Sequence, residues 1–441
     1  MNQKFLYGVS TSAFQIEGDD GTQGRGKSVW DDFCEKKGVI LNGDNGKVAA
    51  NHYNNLIQDL NLLSELGVNC YRFSVSWSRV LPDGIGKINE KGLDFYARLI
   101  DGLIERNISP FCTFYHWDLP EKLCEKGGLK NPDFPKWFTE YAYILVQKFG
   151  DRIKDYITFN EPINCVHSSY YSGAYAPAER VNDLQILKCI NNMVMAHGQS
   201  AEVIAQNVKD YRVGLALSTF EQYPANESEK CVEGVKKSFF QRDILSESVD
   251  VYSDPVYLGD YPPRVYEKFP QFIDYVDKSK LKEYVKYTNI ICYNNYSGFP
   301  TDENGKTVNE LMSKEITDMG NPIDPNGLYW GCKFLTERYK KPIIISENGI
   351  AAKDGVSPDG KVHDVLREMF FEEHLKVKDK IAKEMDLKGY LVWSFLDNFE
   401  WLFGYSKRFG LVYVDFKTGK RIPKDSFYWY KNYIEKNMKG E

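Results

Sequence analysis

The chain has 441 residues, enough for about three average domains or for one large α/β barrel with insertions. With 42% hydrophobic and 27% charged residues, intrinsic disorder and a collagen-like chain are excluded, and 15% aromatics supply ample core or ligand-stacking surface. A net charge of −6, from 56 basic and 62 acidic residues, argues against a nucleic-acid partner.

Short apolar, β-branched and aromatic runs alternate with longer helical patterns, the mark of βα units around a parallel sheet. The first predicted strand is Phe5–Thr11. A polar loop over Gly18–Lys47 follows, then a helix over Asn54–Gly67 with Leu56, Leu60, Leu63 and Leu66 on one stripe and a glycine at its end. Strand Asn69–Trp77 leads to helix Asn89–Asn107, which carries Leu93, Tyr96, Ile100 and Leu103–Ile104 in the same spacing. Strand Ser109–Trp117 and helix Pro132–Arg152 come next, then strand Asp155–Glu161 and helix Asp183–Asn207. Strand Arg212–Thr219 precedes a polar stretch at Gln222–Glu229. Strand Tyr287–Ser297 precedes another at Thr301–Pro325 and a helix over Gly327–Tyr339. Strand Lys341–Gly349, loop Lys353–Lys361, helix Asp364–Met385 and strand Leu387–Phe395 complete the series. Eight strands with helical sequence between them close most simply into one (β/α)8 TIM barrel, with loop insertions at its C-terminal face. No Pro/Gly/Ser-rich linker divides residues 1–441, so a single catalytic domain is expected.

The nine cysteines are scattered without a CxxC pair, which fits free thiols in a reducing compartment better than a disulfide framework or a zinc site. The opening MNQKFLYGVSTSAFQ lacks the features of a signal peptide, and no run reaches the ~18 apolar residues of a membrane helix. A cytoplasmic protein without a membrane partner is expected; assembly into a homo-oligomer stays open.

In such a barrel the chemistry belongs at the C-terminal ends of the strands. Those ends hold Gln15, Trp77, His116–Trp117, Asn160–Glu161, Asn294 and Tyr296, Glu347–Asn348 and Trp393. The set contains carboxylates, amides, a histidine and flat rings. It lacks a metal cluster, a Ser/His/Asp order and a magnesium-binding strand end, so neither metal nor cofactor is expected. Amides and histidine suit sugar hydroxyls, and the rings suit the apolar face of a sugar. Glu161 in TFNEP and Glu347 in IIISENG end the fourth and seventh strands, on opposing sides of the mouth. Glycoside hydrolysis with retention needs two such carboxyls, one protonated and one ionised, about 5–5.5 Å apart. Arg72, inside the second strand among aromatics, is the candidate cation for the ionised one.

These residues stand in motifs that resemble the family 1 glycoside hydrolases, the β-glucosidase family. The motifs are FLYGVSTSAFQIEG, YRFSVSWSR, TFYHWDLP, TFNEP, ISENG and VWSFLDNFEWLFGYSKRFGLVYVDF, and the match runs from Phe5 to near the C-terminus. The resemblance implies Glu161 as general acid/base and Glu347 as nucleophile. It implies Asn160 on the sugar 2-hydroxyl, and Arg72, Asn294 and Tyr296 in support. Gln15, His116, Trp117, Glu400 and Trp401 would bind the glycone, with Trp393 flooring the pocket. The chain departs from the family's pattern at Ser346, where Thr is usual, at Cys292–Tyr296 in place of GxNYY, and at Asn321 in place of an aglycone-side Trp. The implied activity is retaining hydrolysis of terminal β-D-glucosyl residues in cellobiose, short cello-oligosaccharides or aryl glucosides, with β-galactosides and β-fucosides as side substrates. Cellulose breakdown is the implied setting.

Two rivals compete with this reading. Phospho-specific members of the family replace the Glu of NFEW and supply Lys and Tyr further on. Here Glu400 is kept, Lys407 matches the Lys, and Phe409 lacks the hydroxyl. A phosphate at about 4 Å from an ionised Glu400 would be repelled by several kcal/mol at an effective dielectric of ~20, so an unphosphorylated sugar is favoured over 6-phospho-β-glucosidase activity. Lys407 reads as a surface charge. The second rival is a nucleotide loop: Gly21–Ser28 fits GxxxxGK[ST]. It needs a buried strand before it, yet Asp19–Asp20 and the acidic VWDDFCE flank it, which disfavours phosphates.

Overall fold

The computed structural model describes residues 4–19 and 21–438. Eight parallel strands form a closed barrel: β1 (Leu6–Ser10), β2 (Cys70–Ser74), β3 (Ser109–Tyr115), β4 (Asp155–Asn160), β5 (Arg212–Leu217), β6 (Ile291–Asn294), β7 (Ile343–Asn348) and β8 (Leu387–Trp393). Each pairs with its sequence neighbours, and β1 closes the ring on β8, with Ser10 opposite Trp393. This is the expected TIM barrel. All eight predicted strands are present but shorter, because the chain leaves the sheet before the polar residues at its upper rim.

The predicted helices are present as His52–Leu66, Glu90–Ile104, Phe134–Phe149, Asp183–Asn207, Asn326–Tyr339 and Val365–Glu384. The stripe Leu56, Leu60, Leu63 and Leu66 is buried against the barrel, and Gly67 closes that helix in the left-handed region at φ 79°. Ile104 is the exception: it is 42% exposed, on the solvent side of its helix. Sequence reading passed over four helices between β5 and β6 (Glu229–Phe240, Val249–Tyr257, Pro263–Lys268 and Lys278–Tyr284) and the C-terminal Asp425–Met438. It also read Gly18–Lys47 wholly as loop, although Val29–Glu35 is helical.

Two-residue periodicity along the strands builds the interior in layers. Leu6, Cys70, Phe111, Ile157, Ala216, Ile290, Cys292, Ile344 and Leu391 form one buried apolar cluster inside the barrel. Two residues further on, Arg72, Thr113, Asn294, Ser346 and Trp393 stand on the same face of their strands. Register shifts fall between Ile157 and Asn160, between Tyr293 and Asn294, and between Tyr390 and Val392. Such irregularities re-aim side chains at a barrel rim, and here they turn Asn160, Asn294 and Glu347 inward. The apolar floor thus gives way, one layer up, to polar groups.

Trp77, placed in the site by sequence reading, belongs elsewhere. The chain turns into a short helix, Trp77–Val80, immediately above β2. The indole stacks on Tyr141 with centroids 4.9 Å apart and donates to the Gly84 carbonyl at 2.9 Å. Its role is packing between barrel and outer helices. Asn348 is likewise committed to the chain, donating to the Asn295 carbonyl at 2.7 Å and accepting from Tyr390 Oη at 2.5 Å.

No buried strand leads directly into the Gly21–Ser28 segment, since β1 ends at Ser10 and a short helix, Ala13–Ile16, intervenes, which removes the nucleotide-loop reading. Its polar groups are already used: Arg25 pairs with Asp31 at 2.8 Å, Lys27 with Asp32 at 2.8 Å, and the Ser28 amide donates to Asp31 at 2.7 Å. Asp20 lies outside the described residues. All nine cysteines are free thiols. Among the described residues no helix is long and apolar enough to cross a membrane.

Candidate active site

Above the polar layer lies a hollow of about 250 Å³, lined by His116, Trp117, Asn160, Glu161, Asn294, Tyr296, Glu347, Trp393, Glu400 and Trp401 among others. Ten of the twelve residues that the family resemblance implies border it directly; Arg72 and Gln15 stand one contact behind. Arg72 is fully buried, and its guanidinium is spent on four partners, one of them the Ser346 carbonyl at 3.3 Å from Nη1. Nη1 donates to Glu347 Oε1 at 2.5 Å, Nη2 to Asn160 Oδ1 at 2.7 Å, and Nε to Thr113 Oγ1 at 2.9 Å. Tyr296 donates its hydroxyl to the other carboxylate oxygen of Glu347. Desolvation pushes Glu347 above the usual carboxylate range, and Arg72, Tyr296 and Asn294 pull against it by favouring the charged form.

Glu161 faces a different environment. Its backbone sits in the left-handed region at φ 47°, a strained placement for a non-glycine residue that turns the side chain over the hollow. Asn294 Nδ2 donates to Glu161 Oε1 at 2.9 Å and Asn164 Nδ2 to Oε2 at 2.6 Å. No cation touches it. Desolvation, reinforced by the charge of Glu347, raises Glu161 to about 7, with Asn294, Asn164 and Arg72 opposing. Environment therefore separates the two carboxyls: one is clamped by a cation and a phenol, the other holds its proton near neutrality. Asn294 joins them, since its amide also reaches Glu347, and its own oxygen accepts the Ser346 hydroxyl at 2.7 Å.

The amide and imidazole orientations follow from the same network. Asn160 Oδ1 accepts from Arg72 and, at 3.1 Å, from Asn294, so its Nδ2 is the donor toward His116 Nε2 at 3.2 Å. Burial holds His116 well below its usual pKa, hence neutral, with the remaining hydrogen assigned to Nδ1. That nitrogen is buried without a partner beside the hollow. The ring stacks on Trp393 at 5.7 Å and Trp401 at 6.1 Å, forming an aromatic wall with one free donor. Trp117 packs against Trp401 at 4.6 Å and donates to the Asn160 carbonyl at 3.0 Å.

Gln15 is fully buried and stands beside Glu400, donating to the Phe399 carbonyl at 2.9 Å, to Asn398 at 3.1 Å and to Glu400 at 3.4 Å. The loop carrying Glu400, Trp401 and Phe409 is pinned from beneath by Asp397, which accepts from Lys424 at 2.8 Å, Arg408 at 2.5 Å and the Gly410 amide at 3.0 Å. Gly349, two residues after Glu347, lies so close to the end of β8 that a Cβ would sit 1.8 Å from the Trp393 carbonyl.

The family model for glycosyl hydrolase family 1 matches residues 1–439. The chain belongs to glycosyl hydrolase family 1. It is 41% identical to beta-glucosidase A of Thermotoga maritima over 440 residues, covering 98% of this chain and 97% of that one. It is 39% identical to beta-glucosidase A of Acetivibrio thermocellus, with 98% of each covered. The structure of the T. maritima beta-glucosidase in complex with noeuromycin superposes with a TM-score of 0.89 at 40% identity and 99% coverage of both chains.

Several residues of this family 1 enzyme's pocket escaped sequence reading: Asn164, Tyr175, Ser218, Thr219, Glu221, Thr317 and Met319. A signal for three of them existed. The strand-end rule, applied to every strand but the fifth, would have reached Ser218 and Thr219 had it been applied there too, with Glu221 two residues further. Asn164 follows Glu161 in a π-helical segment, Asn164–Tyr171, whose wide turn no local pattern announced.

Two electrostatic expectations need correction. Desolvation, with the charges of Glu347 and Glu161 beside it, pushes Glu400 up to about 8, which weakens the repulsion expected between a full anion there and a phosphate. Lys407 is not a free surface charge either: its ammonium lies 3.0 Å from the Asp318 carboxylate and 2.5 Å from the Asp318 carbonyl.

Proposed function

We propose that the chain is a retaining β-glucosidase that removes terminal non-reducing β-D-glucosyl residues without a cofactor. The observation that carries this reading is the unequal pair of carboxyls joined through Asn294. Glu347, held by Arg72 and Tyr296, attacks the anomeric carbon as the glycosidic C–O bond breaks, and the Glu161 proton passes to the departing oxygen. In the second step Glu161 takes a proton from water, the oxygen of that water displaces Glu347 from the anomeric carbon, and Glu161 is protonated again. The shared amide supports a spacing of the retaining kind, about 5–5.5 Å. Asn160 Nδ2 keeps one hydrogen free for the sugar 2-hydroxyl, His116 Nδ1 and Glu400 serve the remaining hydroxyls, and Trp393 and Trp401 pack against the ring. The outer lining of Ser218, Thr219, Asn164, Thr317 and Asn321 is polar, which favours a second sugar as leaving group in cellobiose and short cello-oligosaccharides. Aryl glucosides, β-galactosides and β-fucosides are the expected side substrates, cellulose breakdown the expected setting, and a cytoplasmic single-domain protein the expected context.

A 6-phospho-β-glucoside is disfavoured because Lys407 is already neutralised by Asp318 and Phe409 offers no hydroxyl. The test is a panel of nitrophenyl glycosides with the product anomer followed by NMR. We expect kcat/KM for the β-glucoside to exceed that for the 6-phosphoglucoside at least about tenfold, the effect of one unmet charged contact, with β-glucose released first. Release of the α-anomer overturns retention.

The two carboxyls also fix the pH profile. Glu161 donates only when protonated, so kcat/KM falls as pH rises through about 7. Glu347 attacks only when ionised, so the acid limb lies above the ordinary carboxylate range. A bell with its descending limb near 7, measured on a substrate with a poor leaving group, is the expected outcome.

A further inference from the structure

Glu221 is a pocket carboxyl that neither displacement step employs. It follows β5 with its backbone in the left-handed region at φ 55°, a conformation other residues than glycine rarely adopt. The turn is fixed on both sides: the Glu221 amide donates to Thr219 Oγ1 at 3.1 Å, and its carbonyl accepts from the Phe299 amide at 3.0 Å. Held this way, Glu221 Oε1 accepts the backbone N–H of Tyr296 at 2.5 Å. Tyr296 in turn gives its hydroxyl to Glu347, while its ring rests edge-on against Phe409 at 5.9 Å. One line of contacts therefore runs from the β5 loop through the Tyr296 main chain to the attacking carboxylate. We propose that Glu221 is a positioning residue for the double displacement: by accepting the Tyr296 amide it holds the phenol against Glu347. The inference rests on the retaining reading above.

A carboxylate suits this task because hydrogen bonds to a charged acceptor are shorter and stronger than those to a neutral one. Desolvation raises Glu221 to about 7, opposed by the amides of Tyr296 and Ser297. The groups facing Glu347 are Arg72, Tyr296 and Asn294, with the Glu161 and Glu400 carboxyls as titratable neighbours. Those facing Glu221 are the two amides and the Tyr293 phenol. If the phenol drifts, Glu347 loses a donor to its charged form, and its titration moves upward.

The experiment is kcat/KM against pH with a nitrophenyl β-glucoside for wild type, Glu221→Ala, Glu221→Gln, Tyr296→Phe and the Glu221→Ala/Tyr296→Phe double variant. Glu221→Ala is expected to lower kcat/KM about three- to tenfold, the worth of one hydrogen bond. It should shift the acid limb upward, as Tyr296→Phe does, and leave the limb set by Glu161 in place. Glu221→Gln keeps an acceptor oxygen and recovers most of the loss. In the Tyr296→Phe background Glu221→Ala adds nothing further, because both act through one contact. An acid limb that ignores Glu221, or an equal loss in both backgrounds, overturns the proposal. Should Glu221→Ala not fold, Glu221→Gln decides alone: a smaller upward shift of the same limb supports the role, and an unmoved limb overturns it. A wild type inactive on every β-glycoside would instead sink the underlying reading.

Discussion

Glu347→Gln abolishes turnover, by on the order of 10⁴-fold or more in kcat, while the protein stays folded. Both halves of that outcome follow from Arg72. The amide of Gln is the same size as the carboxylate and still offers an oxygen to Nη1, so the fully buried guanidinium keeps an acceptor. Removing the acceptor altogether, as in Glu347→Ala, leaves a buried charge uncompensated and costs about 3–5 kcal/mol of stability. The neutral amide cannot displace the leaving group at a useful rate, because its oxygen lacks the negative charge that makes the carboxylate a nucleophile. Initial rates on a nitrophenyl β-glucoside, with thermal melts of both variants, check the pair of claims. Residual turnover within about a hundredfold of wild type would contradict the assignment of Glu347, since loss of a nucleophile costs far more than that.

Glu161→Ala slows cellobiose by about 10²- to 10⁴-fold, the range of general acid catalysis. Substrates whose leaving group departs unaided, such as dinitrophenyl glucosides, lose far less in the first step. The structure explains why the loss should be selective. Glu161 touches Asn294 and Asn164 but no cation, so its removal leaves the clamp on Glu347 in place. The descending limb near 7 should vanish together with the proton that produces it. Equal losses across good and poor leaving groups would show that Glu161 is not the acid.

Much of this architecture was legible before any coordinates. The strands announced themselves because each is a short apolar run bounded by polar sequence, and strand periodicity places residues two apart on one face. From Cys70 that rule leads to Arg72, from Cys292 to Asn294 and from Ile344 to Ser346, so the polar layer was implicit in the pattern. The candidate pair was legible because Glu161 and Glu347 each end a strand beside an asparagine. What stayed hidden has physical causes. The helices between β5 and β6 are short, with Pro255 inside one and Pro263 opening the next, so no long apolar stripe marked them. Trp77 misled because a rim position and the turn of helix above it look alike in one dimension. The charge on Glu400 and the partner of Lys407 depend on which distant loops meet, Asp318 above all, and nothing local encodes that. Glu221 was missed for a related reason: its contact with Tyr296 spans two loops, and only the closed ring brings them together.

The apolar plug formed by Leu6, Phe111, Ile157, Ile344, Leu391 and their neighbours seals the cylinder from below. The chamber is therefore closed at its barrel end. A polymer cannot thread through a sealed cylinder, so on the proposed reading only a chain tip is trimmed, one unit per cycle. On the same reading the severed remainder and the released monosaccharide both leave through the mouth by which the next guest arrives. Traffic through one opening thus couples the rate of departure to the rate of admission.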